Sequence, residues 1–137
     1  MNHSCGLSRN DGLKKAKGDY IWFIDGDDWL LDSKAIHKIL TIMKVQDEKI
    51  IRFDYEAPKF KLHGYPSMVW QYCMRRDFIG DLRFTAIQPH EDVKFMGSLT
   101  CDLDTPIYFI NEKFYYYNYM REGSNMQQWI DTKHIEP

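Results

Sequence analysis

The sequence lacks a basic surplus, paired cysteines, a long apolar run and any internal repeat. Lys and Arg number 18 against 20 Asp and Glu, a formal charge of -2, so no basic field exists to attract a nucleic-acid backbone or an anionic membrane. Nucleic acid is not an expected partner. The three cysteines, Cys5, Cys73 and Cys101, lie far apart and form no C-x-x-C pair, which argues against a disulfide framework or a structural zinc site. A reducing cytosol is the expected compartment. No apolar stretch approaches the ~20 residues that cross a bilayer, and Met1 to Asn10 is polar where a signal peptide carries an apolar core. The expectation is a soluble, cytoplasmic chain, or one attached to the inner face of the membrane only through its surface.

What is present is enough for one core. A chain of 137 residues with 44% hydrophobic and 15% aromatic content fits a single domain over 1–137. Tyr20 to Ile24 is an almost continuous apolar run, expected as a strand buried on both faces of a parallel or mixed sheet. Asp32 reads as an N-cap, and Ala35, Ile36, Ile39, Leu40 and Met43 recur at helical spacing after it. Lys49 to Tyr55 reads as a second strand, and Pro58 to Pro66 as an irregular connection. Ser67 to Arg76 is expected to be helical, with Met68, Val69 and Tyr72 inward. A further helix starts near Glu91 and carries Val93, Phe95, Met96 and Leu99. Ile107 to Ile110 and Lys113 to Tyr119 read as two strands around an Asn111-Glu112 turn. The order is mixed α/β, a mixed sheet with flanking helices.

The chemistry concentrates where the first apolar run ends, at Asp25-Gly26-Asp27-Asp28. Three carboxylates in four residues repel one another and call for a compensating cation. Hard divalent ions, Mg²⁺ or Mn²⁺, take oxygen ligands and share their shell among a few carboxylates, phosphate oxygens and water. Gly26 lets the backbone turn tightly between the acids. A bare Asp-x-Asp is more often a polar turn. Here the acids follow a buried strand directly, at the end of the strand where open α/β sheets hold their ligands. An EF-hand loop fits poorly, because Trp29, Leu30 and Ile36 stand where that loop needs ligands.

The stretches Ser8-Arg9-Asn10-Asp11-Gly12-Leu13 and Ala16-Lys17-Gly18-Asp19-Tyr20-Ile21-Trp22-Phe23-Ile24-Asp25-Gly26-Asp27-Asp28 resemble the "RN-x-G-L … A-x-G-x-Y-I-x-F-x-D-x-D-D" signature of the family 2 glycosyltransferases. The resemblance implies a partial GT-A fold. It implies that Asp25 and Asp27 hold the metal, Mn²⁺ or Mg²⁺, and the diphosphate of a nucleotide sugar, a UDP-sugar before others. Arg9 and Asn10 match the segment beside the nucleotide site. Arg83-Phe84 and His90-Glu91-Asp92-Val93-Lys94-Phe95 resemble the family's "R-F … E-D-x-x-F" segment, which makes Asp92 the base that deprotonates an acceptor hydroxyl. Tyr115-Tyr116-Tyr117 with Arg121, Gly123 and Ser124 resemble its "Y-Y-Y-x-x-R-x-G-S" ending, and Arg121 and Ser124 are implied on the diphosphate or acceptor side.

By the same resemblance the pattern begins in its middle. The chain is expected to be the C-terminal part of a catalytic domain whose N-terminal nucleotide-binding half is missing, with weak or no turnover alone and a sheet edge open to self-association. The implied activity is inverting, metal-assisted transfer of a sugar from a nucleotide sugar to a glycan or lipid-linked hydroxyl in bacterial polysaccharide or cell-surface glycan synthesis. The competing reading is a non-catalytic carbohydrate-binding or interaction module on the same scaffold.

Overall fold

The computed structural model describes residues 4–58, 68–86, 90–101, 104 and 107–123. Ser124, Trp129 and, apart from Pro58, the expected connection up to Pro66 lie outside them. In chain order the elements are α1 (Cys5–Lys15), β1 (Tyr20–Trp22), β2 (Trp29–Leu30), α2 (Ala35–Gln46), β3 (Ile50–Glu56), a single 3₁₀ turn (Val69–Gln71), β4 (Tyr72–Arg75), the one-turn α3 (Arg76–Ile79), α4 (Glu91–Thr100) and β5 (Tyr108–Tyr116). The strands form one sheet in the order β1-β4-β3-β5-β2. Among the described residues β3 and β5 run parallel, and the other pairs are antiparallel. This is the mixed sheet with flanking helices that the sequence pattern implies.

Strand alternation divides the core into two layers. Ile50 of β3 with Tyr72 and Met74 of β4 packs on one face, against Leu13 of α1 and Phe95, Met96 and Leu99 of α4. Ile51, Phe53 and Tyr55 of β3 with Cys73 of β4 packs on the other, against Ala35, Ile39 and Met43 of α2. Each large buried side chain here contributes roughly 1.5–3 kcal/mol of transfer free energy. That burial fixes α1, α2 and α4 on the sheet.

Four expectations are corrected. The Tyr20 to Ile24 strand covers only Tyr20–Trp22 and is not buried on both faces, because Tyr20 and Trp22 are half-buried around a buried Ile21. Beyond Trp22 the chain leaves the sheet. Phe23 turns into the α4 side of the core, 5.3 Å from the Phe84 ring, while Ile24 is exposed. Ser67 to Arg76 is not a helix. Val69 and Tyr72 are inward as expected, but Tyr72 and Met74 pack on one face of the sheet and Cys73 on the other, a period of two that no helix produces.

The Asn111-Glu112 turn does not form either. Tyr108 to Ile110 and Lys113 to Tyr116 both pair with β3 in the same direction, so the two residues are a bulge within one strand, its register jumping between Ile110 and Lys113. Glu112 projects from the bulge and pairs with Lys38 of α2 at 3.1 Å. Asp32 does not cap α2. Its carboxylate accepts from the Lys34 amide at 2.8 Å, closing a turn before the helix, and Ile36 and Val93, both expected inward, are exposed.

Helix α1, the two-residue β2 and the one-turn α3 had no counterpart in the pattern. Helix α1 is capped by Ser4, whose hydroxyl accepts from the Leu7 amide at 3.3 Å, and Lys14 and Lys15 complement its C-terminal dipole. It sits very close to its neighbours. A Cβ on Gly6 would lie 2.7 Å from the Thr85 carbonyl and 3.3 Å from Glu91, so glycine permits the approach that brings α1 against the start of α4.

The corrected strand β4 is directly testable through its thiol. Burial pushes Cys73 up to about 12, whereas Cys5 and Cys101 are exposed. Alkylation of the native chain at mildly alkaline pH should label Cys5 and Cys101 and spare Cys73 until denaturant is added, as read by mass spectrometry.

Candidate active site

Asp25 to Asp28 form a closed turn at the end of the segment that follows β1. The Asp28 amide donates to the Asp25 carbonyl at 3.1 Å. The Tyr115 hydroxyl of β5 accepts from the Asp25 amide at 3.1 Å and donates to Asp28 Oδ2 at 2.6 Å. Asp28 Oδ1 in turn accepts from the Asn118 amide at 2.8 Å. Burial pushes the Asp28 carboxyl up to about 6, its two hydrogen bonds oppose the rise, and the neighbouring Asp25 and Asp27 charges add to it.

Arg9 joins this turn to α4. Its guanidinium donates to Asp25 Oδ1 at 2.8 Å and to Glu91 Oε1 at 3.1 Å, and it lies 5.5 Å from the centre of the Phe84 ring. Phe84 is stacked in turn on Phe95 of α4 at 3.9 Å. Burial alone would weaken the Arg9 charge, but Asp25, Glu91 and Asp92 more than offset it and raise its pKa. The Arg9 and Glu91 side chains are only 12% and 11% exposed, so neither charge has much water to fall back on.

Asp92, beside Glu91 in the first turn of α4, is raised above the ordinary carboxylate range by burial and then by the Glu91 charge, with Arg9 opposing. His90 precedes the pair at φ +86, a left-handed conformation that costs a histidine about 1–2 kcal/mol and sets the angle at which Glu91 and Asp92 enter the helix. Asn10, one residue after Arg9, is pinned in the scaffold. Its amide donates to the Phe84 carbonyl at 2.9 Å and its carbonyl accepts from the Phe84 amide at 2.8 Å.

Arg121, past the end of β5, donates to Asp27 Oδ2 at 2.9 Å. Together with Gly26 and Asn118 these two residues line an open cleft of about 550 Å³. Asp92 is not among the residues lining it. Its link to the turn is electrostatic and runs through Arg9. The structure therefore brings Arg9, Asp25, Asp27, Asp92 and Arg121 into two connected sets, and turns Asn10 toward Phe84.

Sequence reasoning missed Glu91, Tyr115 and Asn118 as site-forming residues. Nothing in a run of three tyrosines marks Tyr115, which is fully buried beside an equally buried Phe114 while Tyr116 is half-buried. Asp28 stood in the acidic run but was given no role of its own.

Residues 2–98 match the Glycosyl transferase family 2 pattern, and the chain belongs to that family. The match lies in the N-terminal region of this chain, so what is established is membership of the family and not correspondence to the C-terminal part of a catalytic domain. It contains Arg9, Asn10, Asp25, Asp27 and Asp92, and ends before Arg121 and Ser124.

An uncharacterized glycosyltransferase of Haemophilus influenzae is 31% identical, over 69% of this chain and 44% of its own length. The S. aureus TarS 1–349 structure in complex with UDP-GlcNAc superimposes with a TM-score of 0.78 at 18% identity, covering 91% of this chain and 41% of that one. The TarS 1–349 structure described without a ligand gives 0.73 at 15%, covering 82% and 40%. At those identities the likeness speaks for the fold alone. The chain spans about two fifths of the length of these relatives.

The pinning of Asn10 carries a prediction. Asn10→Ala leaves both backbone groups of Phe84 without their partners, which costs about 1–3 kcal/mol for each buried group that water does not reach. Chemical denaturation should show a loss of about 2 kcal/mol or more.

Proposed function

We propose that the chain serves glycosyl transfer from a nucleotide diphosphate sugar, a UDP-sugar, to a hydroxyl of a glycan or lipid-linked acceptor, with inversion at the anomeric carbon. The observation that supports this reading best is the Arg9 bridge, which holds Asp25 of the acidic turn and Glu91 beside Asp92 on one guanidinium. The binding of UDP-GlcNAc by a protein of like fold is the ground for choosing a uridine donor. Synthesis of bacterial surface glycan, at the cytoplasmic face of the membrane, is the setting that fits such an acceptor. Among the described residues no helix is long and apolar enough to cross a membrane.

The donor set suits a hard divalent cation. Asp25 and Asp27 offer carboxylate oxygens flanking a glycine, and among the described residues no cluster of three or more His, Cys, Asp or Glu side chains forms a ready-made cage. A shell completed by phosphate oxygens and water is what Mg²⁺ or Mn²⁺ prefers. Asp25 and Asp27 would hold it, Asp27 with the more direct contact, and when bound it would neutralise charge on the departing nucleoside diphosphate.

The chain's own residues do the rest. Arg121 brings a second positive charge to the cleft that Asp27 opens into. Asp92 accepts the acceptor's proton as the hydroxyl attacks. Its pKa, raised by burial, brings it nearer to working pH, where a general base is most effective. Displacement by one hydroxyl from the side opposite the leaving group inverts the sugar carbon.

Two variants test the reading. Calorimetric titration with UDP-GlcNAc and Mn²⁺ should give Mn²⁺-dependent binding that Asp27→Ala weakens by about tenfold or more, the worth of one strong charged contact. In a chain that turns over donor, Asp92→Asn should keep that binding and lose on the order of 10²-fold or more in rate. Equal binding by wild type and Asp27→Ala, or full turnover by Asp92→Asn, would refute the assignment.

A further inference from the structure

The third acid of the turn faces away from the cleft. Gly26 and Asp27 line it, whereas Asp28 spends both oxygens on the interior, one on the Tyr115 hydroxyl at 2.6 Å and one on the Asn118 amide at 2.8 Å. The hydroxyl that receives Asp28 also takes the Asp25 amide at 3.1 Å. A single side chain thus holds the first and last residues of a four-residue turn, and the two between them project outward.

That side chain is itself packed in the core. Tyr115 has no exposed surface, and its ring is stacked on Trp70 at 4.6 Å with an interplanar angle of 9°. Burial and the adjacent Asp28 raise its pKa above the ordinary phenol value, so it remains a proton donor to the carboxylate. Three carboxylates in one turn repel each other, and a turn held only by its backbone bond would spread. A hydroxyl anchored in the core and bonded to both ends of the turn opposes that, beside the pairing of Asp25 with Arg9 and of Asp27 with Arg121.

We infer that Tyr115 and Asp28 are a positioning pair that presets the Asp25 to Asp27 turn for its cation, Tyr115 through the ends of the turn and Asp28 through Tyr115 and Asn118. The inference rests on the reading of Asp25 and Asp27 as cation ligands given above. The pair contributes geometry and not coordination. A preset turn binds its cation without first being ordered, and that ordering cost is what a released turn would add to binding.

The test uses the full chain, UDP and Mn²⁺, with free Mn²⁺ followed by electron paramagnetic resonance. Tyr115→Phe keeps the ring and removes the hydroxyl, and it should weaken Mn²⁺ binding about five- to tenfold, the worth of one to two net hydrogen bonds. It should also speed hydrogen exchange at the Asp25 amide while the chain still unfolds cooperatively. Asp28→Ala releases the pair from its other end and should weaken Mn²⁺ similarly, which decides the matter if Tyr115→Phe does not fold. Ile51→Val, a packing change in β3 that touches neither the hydroxyl nor the acids of the turn, should lower stability and leave Mn²⁺ affinity alone.

Wild-type affinity in Tyr115→Phe and Asp28→Ala, beside a loss in Asp27→Ala, would overturn this inference and leave the proposed function standing. Wild-type affinity in all three would overturn both. An equal loss in Ile51→Val would show that Mn²⁺ binding follows stability alone, and would overturn the positioning role.

Discussion

One guanidinium holds the candidate site together. Arg9 donates to Asp25 and to Glu91, one in the acidic turn and one at the start of α4, about half the chain apart. Remove that charge and two carboxylates, with Asp92 and Asp27 near them, face one another in a partly buried space, an arrangement that costs several kcal/mol when uncompensated. The placement of Arg9 depends in turn on α1. That helix is set close to α4 by Gly6 and tied to the Phe84 backbone by Asn10, the residue next to the arginine. The segment around Arg9 is therefore scaffold first, and its polar residues are engaged before any ligand arrives.

The acidic turn shows the same economy. Asp25 has Arg9, Asp27 has Arg121, and Asp28 has Tyr115 and Asn118. Each acid finds its own compensation, yet only Asp27 opens with its partner into the cleft. Arg121 is more than half exposed, so its ion pair is worth little on its own and is readily exchanged. The buried contacts fix the shape of the turn, and the exposed contact leaves one carboxylate available.

Sequence reading recovered the parts of this fold that are long and periodic and lost those that are short. Helix α2 was legible because Ala35, Ile39 and Met43 repeat at helical spacing and are all buried. Strand β3 was legible because Ile51, Phe53 and Tyr55 alternate. Tyr72-Cys73-Met74 is too short for its period to show, and only pairing with β1 and β3 makes it a strand. The Asn-Glu pair in β5 has turn chemistry, but parallel pairing with β3 on both sides turns it into a bulge. Helix α1 has few apolar residues and takes its place from the contacts of Gly6 and Leu13. Of the site, the acids and Arg9 were visible because charge in a tight cluster needs an explanation. Tyr115 was not, because a hydroxyl that reaches from a distant strand to the Asp25 amide and the Asp28 carboxylate leaves no trace in the local pattern.

The claim that Arg9 unites the acidic turn with the helix bearing Asp92 is tested most directly by a double-mutant cycle between Arg9 and Glu91, with Arg9→Met, Glu91→Gln and the pair compared by denaturant unfolding. The account predicts a favourable coupling of about 1–3 kcal/mol, the range of contacting charged residues within one network. A coupling within about 0.5 kcal/mol of zero, the additivity found for independent sites, would contradict it.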